Sequence, residues 1–397
     1  MRVGIDATCW SNQRGYGRFT RGLLQALLEL ETNYQFILFV DIQTYQQSQF
    51  PANVDCIVVE TSQSPTKAAS ASGRRSSRDL WAMTQAVARC QLDVLFFPSV
   101  YTYFPALTKA KIVLGVHDVI AEDYPSLIFP ELRSRWLWNL KSWFAHRQAN
   151  YVLTVSNHAK SGIVRHFKHP PQRVWVIDEA PDPVFRPLAP DEINWEFLNQ
   201  HGLTPSHRFF LYLGGVNPHK NLAMLLESLT TLHREESYRD VKLVIVGDIH
   251  TDVFTPGLNA LKTKIEILSL NDCVRFTGFV PDADVVHFFN TAQAVVLPSI
   301  AEGFGLPAME GAACGTPVIA TCNSPLPDLL SGGGIFIDPI QPIQLTAALR
   351  RILNDESKRS LMAEIALKRA KEFTWRRSAQ QMHALLTQLE PNTSSQH

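Results

Sequence analysis

Two carboxylates, Glu302 and Glu310, stand with seven residues between them in the stretch Pro298-Ser299-Ile300-Ala301-Glu302-Gly303-Phe304-Gly305-Leu306-Pro307-Ala308-Met309-Glu310. Carboxylates accept hydrogen bonds from hydroxyls, and the bare N–H groups of a helix start bind phosphate. The apolar run Ala294 to Leu297 just before reads as a strand, and Pro307 suits the first turn of a helix, where its missing N–H removes an orphan donor. Gly303 and Gly305 lack Cβ atoms, so the chain can turn sharply and approach a ligand closely. Glu302 is therefore expected in a loop and Glu310 about one turn into the helix. Both lie beyond the carboxyl end of a strand, where open α/β sheets bind ligands. A sugar nucleotide, with hydroxyls and a diphosphate, needs both kinds of group. An ordinary strand-loop-helix with a capping Glu is the plain alternative; the second Glu and the following run Ala313 to Ala320 favour the ligand reading.

Breaking a sugar–phosphate bond builds negative charge on the leaving diphosphate, so fixed positive charge or N–H dipoles must wait there. Lys220, in Gly214-Gly215-Val216-Asn217-Pro218-His219-Lys220-Asn221, stands where a helix begins. The helix dipole disfavours a cation at that end by roughly 0.3–1 kcal/mol, so its placement makes sense with an anion present. His117-Asp118 follow the strand expected over Lys111 to Val116. The imidazole there can hydrogen-bond a sugar hydroxyl, or the backbone carbonyl can face developing positive charge; Asp118 is read as orienting the loop. Gly15-Tyr16-Gly17, between the first strand and a helix expected from about Arg18, is a partial glycine motif. Asp282-Ala283-Asp284 imitates a metal-binding Asp-x-Asp, but Pro281-Asp282 opens a helix, where Asp caps naturally, and no metal is expected.

The Glu-x7-Glu stretch within its Glu-Gly-Phe-Gly-Leu-Pro context, with Lys220 and His117-Asp118 in order before it, resembles the retaining glycosyltransferases of family 4, in their mannosyltransferase-like group. The resemblance covers nearly the whole chain. It implies the GT-B fold: two Rossmann-like domains facing each other across a deep cleft, with a C-terminal helix crossing back to the first. It implies transfer of a hexose from a nucleoside-diphosphate sugar to an acceptor hydroxyl on a glycan, lipid-linked sugar or small metabolite. GDP-mannose leads among donors and UDP-hexoses follow. No cofactor is implied beyond that co-substrate. The family's catalytic roles carry over to His117, Lys220 and Glu302. Its donor contacts carry over to Gly15, Gly17, Gly214, Gly215, Val280, Gly303, Phe304, Gly305, Leu306 and Glu310, the last holding the ribose. Ser299 is placed beside the crevice, and Asp328 falls where relatives often have glutamate. The chain departs from the pattern at Gly215 and His219, where many members carry arginine; His219, Arg14 and Arg18 are the candidates to compensate. An epimerase or phosphorylase on the same fold, and a catalytically silent sugar-nucleotide-binding subunit, are the competing readings, since a fold alone does not fix function.

The elements that must position these groups alternate strand and helix in both halves of the 397-residue chain, which means parallel sheets covered on both faces. The division proposed is an acceptor-binding domain over residues 1–190, a nucleotide-sugar domain over 191–373, a returning helix over 374–390 and a disordered tail over 391–397. Residues 61–77, rich in Ser, Ala and Thr and ending in Arg74, Arg75 and Arg78, are expected to form a loop near the cleft. Hydrophobic residues make up 45% of the chain and charged ones 19%, with zero net charge, so nucleic acid is not an expected partner. Six scattered cysteines without metal-type spacing, and no secretory segment before the first strand, read as reduced cytosolic thiols. The expected location is cytoplasmic, with the inner face of a membrane as an extension. No apolar run approaches the ~20 residues of a membrane span. Arg133, Arg135, Lys141 and Arg147 interleave with Trp136, Trp138, Trp143 and Phe144. Two readings stay open there: a core helix with solvated arginines, which the zero net charge favours, and peripheral membrane contact through residues 133–147.

Overall fold

The computed structural model describes residues 1–12, 15–63, 76–129, 131–247 and 255–390. Two compact units divide the chain: Met1–Glu179 together with the segment from Thr374, and Ala180–Phe373. The division lies at Glu179/Ala180 rather than near residue 190. The proline-rich run after it packs on the second unit: Phe185 stands edge-on to Phe289, the Leu188 N–H donates to Asn290 Oδ1, and Asn290 Nδ2 donates to the Arg186 carbonyl. Arg14, most of the segment 61–77 and the tail 391–397 lie outside the described residues.

The first unit holds seven parallel strands: β1 (Arg2–Asp6), β2 (Gln35–Asp41), β3 (Asp55–Val59), β4 (Val94–Phe97), β5 (Lys111–Gly115), β6 (Tyr151–Thr154) and β7 (Val174–Val176), in the order β3-β2-β1-β4-β5-β6-β7. The β1, β2, β4 and β5 interiors are almost wholly buried, as strands covered by helices on both faces must be. The Gly15–Leu28 helix buries Phe19, Leu23, Leu24 and Leu27. It starts at Gly15, three residues before the start read from the sequence, so Gly15 and Gly17 are helical rather than looped. Gly17 is required by packing: a Cβ would stand 2.0 Å from the Asn12 carbonyl oxygen, whereas nothing lies within 4 Å at Gly15. The last helix, Trp375–Leu389, lies against the Gly15–Leu28 helix, where the Trp375 indole occupies the space a Cβ on Gly22 would take. Asp178 fastens the same helix. Its carbonyl accepts from Ser378 Oγ at 2.6 Å, and its carboxylate accepts from Gln381 and Arg377.

The helix Leu132–Gln148 buries Trp138, Ser142, Ala145 and His146 but leaves Trp136, Trp143 and Phe144 exposed. The core-helix reading therefore holds for one of its four aromatics.

The second unit holds six parallel strands: β8 (Phe209–Leu213), β9 (Lys242–Val246), β10 (Val274–Gly278), β11 (Ala294–Leu297), β12 (Val318–Thr321) and β13 (Gly334–Ile337), in the order β10-β9-β8-β11-β12-β13. Strand order runs one way from β8 and the other way from β11, so the switch point of this sheet lies between those two strands. β13 has no clear sequence signal, because Gly332-Gly333-Gly334 reads as a turn. Its glycines serve close packing: a Cβ on Gly333 would stand 2.7 Å from the Ala366 backbone.

Candidate active site

The loops that leave β8 and β11 carry Lys220 and Glu302, and these strands are paired neighbours at the switch point. After β8 the chain turns at Gly214, whose φ of +148° suits glycine, and Tyr212 Oη donates to the Gly215 carbonyl at 2.6 Å. β9 comes close here as well, since a Cβ on Gly247 would lie 2.3 Å from the Gly214 oxygen. Pro218–Lys220 then form a single 3-10 turn, and Asn221 at φ +57° opens the Leu222–Leu232 helix. The Asn221 side chain donates to the carbonyls of Pro298 and Pro339, which ties this turn to the loops after β11 and after β13. The Ile300 N–H donates to the His219 carbonyl at 2.8 Å. Glu302 is held from its other side, where its N–H donates to the Asn323 carbonyl.

These ties bring the predicted cation and the first carboxylate together. Lys220 Nζ lies 2.8 Å from Glu302 Oε1, and the Ser299 hydroxyl donates to the same oxygen at 2.6 Å. Burial alone would raise the Glu302 pKa, but the Lys220 charge and the two hydrogen bonds outweigh it, so the carboxyl is held below its usual range and stays ionised. His219 is also buried. Burial and the adjacent Lys220 charge push its imidazole down to about 4, so it is neutral at pH 7. It does not replace the arginine expected in this loop as a charge. Among the described residues nothing partners its Nδ1.

Glu310 lies in the Leu306–Ala313 helix, 1% exposed, and the helix begins at Gly305 in the left-handed conformation with Pro307 in its first turn. The positive end of that helix thus meets the Glu302 loop. Phe304, Leu306 and Val280 are buried side chains, so they bear on a ligand through packing and backbone. Asp282 and Asp284 occupy the first turn of the Asp282–Thr291 helix, where the dipole favours acids; the cap position itself is Pro281 rather than Asp282. Among the described residues no group of three or more His, Cys, Asp or Glu could hold a metal.

His117 belongs to the first unit, after β5. Its Nε2 lies 2.9 Å from the Pro98 carbonyl and its Nδ1 3.1 Å from Glu179 Oε1. Both neighbours offer an oxygen acceptor, and a ring that donates from both nitrogens satisfies them together. Burial lowers its pKa, but the hydrogen bond and charge of Glu179, aided by the Pro98 carbonyl, reverse this and the net shift is upward. The imidazole can reach an outside hydroxyl only by giving up one of these partners, which leaves its backbone as the freer contact. Glu179 follows a short strand with no motif around it, so local sequence does not single it out. The expected result is pH-dependent. A folded pKa above the unfolded value stabilises the protein below about pH 6.5, and that stabilisation is lost as pH rises through the folded pKa. Glu179→Gln should therefore destabilise the protein by about 1–3 kcal/mol at pH 5.5 and by less at pH 8.5 in urea unfolding. A gap of equal size at both pH values would remove the charged form.

The profile described as "Glycosyltransferase Family 4" matches residues 14–183, and that described as "Glycosyl transferases group 1" matches residues 194–369. The chain belongs to the family 4 glycosyltransferases. It is 31% identical over 229 residues to the O-antigen chain mannosyltransferase B of Escherichia coli, which covers 57% of this chain and 58% of that one. The matches span about half the length of the curated relatives. Solved structures share the fold along the whole chain. Sucrose-phosphate synthase from Thermosynechococcus elongatus superposes with a TM-score of 0.76 at 17% identity, covering 98% of each chain. Anabaena HepE in complex with UDP-glucose gives 0.74 at 16%, covering 98% of this chain and 99% of that one. Two parallel-sheet units of Rossmann type with these neighbours make the fold GT-B.

Proposed function

We propose that this family 4 member is a retaining, metal-independent hexosyltransferase that uses a nucleoside-diphosphate sugar. The observation that supports it most is the meeting of Lys220 and an ionised Glu302 at the switch point of the second sheet, beside a helix start. In this reading Lys220 exchanges part of its contact with Glu302 for phosphate oxygens, and Glu302 turns to sugar hydroxyls. Glu310 holds the ribose, and the loop around Val280 meets the base. As the bond from the sugar C1 to the phosphate oxygen breaks, the acceptor oxygen bonds to C1 on the same face. The acceptor proton passes to the leaving phosphate, and Lys220 offsets the charge that builds there. The reaction needs no enzymic nucleophile, and the Lys220 ammonium takes the part of a divalent ion.

GDP-mannose leads among donors because a relative at 31% identity is named a mannosyltransferase; UDP-hexoses follow because a fold neighbour carries UDP-glucose. We place the reaction in the cytoplasm, where nucleotide sugars and reduced cysteines go together; the six free cysteines support that reading. No helix among the described residues is long and apolar enough to cross a membrane. Calorimetric titration with GDP and with UDP tests the donor site directly, with micromolar binding of one expected to exceed the other. Release of free nucleoside diphosphate from a panel of donors then tests the reaction. A protein that binds neither nucleotide and releases neither is not this enzyme.

A further inference from the structure

We infer that the outward face of the Leu132–Gln148 helix is a docking surface for an anionic lipid bilayer, on which the first unit rests. The inward face of the helix is fixed by Trp138, Ser142, Ala145 and His146. At the helical repeat, the opposite face carries Leu132, Trp136, Leu140, Trp143 and Arg147 in one stripe, with Phe144 beside it. These are not grazing exposures: Leu132 is 84% exposed, Trp136 63% and Trp143 57%. A helix apolar on both sides is covered on both sides.

Charge decides what covers it. No Asp or Glu occurs between residues 132 and 148, while Arg147 in the stripe and Arg133 at its edge are both exposed. Lys141 is turned inward, with its ammonium 4.6 Å from the Trp138 ring centre and 5.7 Å from that of Tyr101, so it adds nothing to the outer face. Among the described residues neither arginine is joined to an acid by an ion pair. A second copy of the chain is a poor occupant, because a two-fold contact would set this face against itself, arginine against arginine. A bilayer with anionic headgroups accepts both components. Tryptophan rings lie at the headgroup level, leucine and phenylalanine reach the acyl boundary, and the guanidinium groups meet phosphate. The chain is neutral as a whole, so the attraction is local to this helix.

The surface is independent of the proposed reaction, and so is its test. Purified full-length protein is sedimented with phosphatidylcholine vesicles that contain or lack phosphatidylglycerol, at low and at high salt. Binding is expected to the anionic vesicles only, and to fall at high salt. Trp136→Ser/Trp143→Ser/Phe144→Ser should lower the partition coefficient by about tenfold or more. Arg133→Gln/Arg147→Gln should lower it by about fivefold per arginine. All five positions are exposed, so far-UV circular dichroism and Tm should match the wild type. Wild-type protein left in the supernatant, equal binding to both kinds of vesicle, or variants that bind like the wild type would each overturn the assignment. So would a dimer in light scattering that the aromatic variant dissolves, since the face would then be a contact between copies.

Discussion

Replacing Lys220 by alanine is expected to cut turnover by about a hundredfold or more, comparable with losing one preorganised donor at a developing oxyanion. The same change strips a buried carboxylate of its cation. Lys220 and Glu302 are 22% and 10% exposed at the side chain, and among the described residues Glu302 keeps only the Ser299 hydroxyl as a side-chain donor to that oxygen. A stability loss of about 1–3 kcal/mol should accompany the loss of turnover. The two effects separate in Lys220→Ala/Glu302→Gln. That pair removes the uncompensated charge, so most of the stability should return while turnover stays low. Recovery of turnover along with stability would make Lys220 a structural counter-ion and nothing more. Near-normal turnover in the single variant would remove it from the chemistry.

Gly305→Ala is the second change with a large expected effect. Gly305 has φ +87°, and a Cβ there would stand 2.7 Å from Leu326 Cδ1 and 3.0 Å from its Cγ. The left-handed conformation costs an L-residue about 1–2 kcal/mol, and overpacking a filled core adds about 1–3 kcal/mol. Leu326 is fully buried and has nowhere to withdraw. The strain falls on the junction between the Glu302 loop and the helix that carries Glu310. Both carboxylates should therefore shift, and nucleotide affinity should drop by more than tenfold in calorimetry, with Tm falling as well. Adding Leu326→Ala returns the space but not the backbone angle, so its rescue should be partial. Full rescue would show that the positive φ carries no cost; unchanged affinity in the single variant would detach this turn from the donor site.

Much of this site could be read from local sequence. The strand Ala294–Leu297, the glycine turn, Pro307 and Glu310 about one turn into its helix all follow from residue types within a short window, and the structure places them so. Lys220 could be located at a helix start for the same reason, although a 3-10 turn and a left-handed Asn221 intervene. What the window could not contain was pairing. The Lys220–Glu302 contact spans 82 residues and exists because β8 and β11 are neighbours, a fact of strand order. The His117–Glu179 contact spans 62 residues and depends on β5 and β7 ending on one side of the same sheet. The loss of His219 as a positive charge depends on its burial, which its sequence neighbours do not disclose. For Gly17, read as a donor contact, the structure adds a reason that local sequence does not disclose: a Cβ there would stand 2.0 Å from the Asn12 carbonyl oxygen.

The docking of Trp375–Leu389 on the N-terminal sheet's own helix sets an order of assembly. A ribosome delivers the whole Ala180–Phe373 unit before the first unit receives its closing piece. Until Trp375 arrives, the space beside Gly22 stays unfilled and Asp178 waits for Ser378, Gln381 and Arg377. Damage to the Trp375–Leu389 helix is therefore felt by the unit synthesised first, and spares the unit that directly precedes it on the chain.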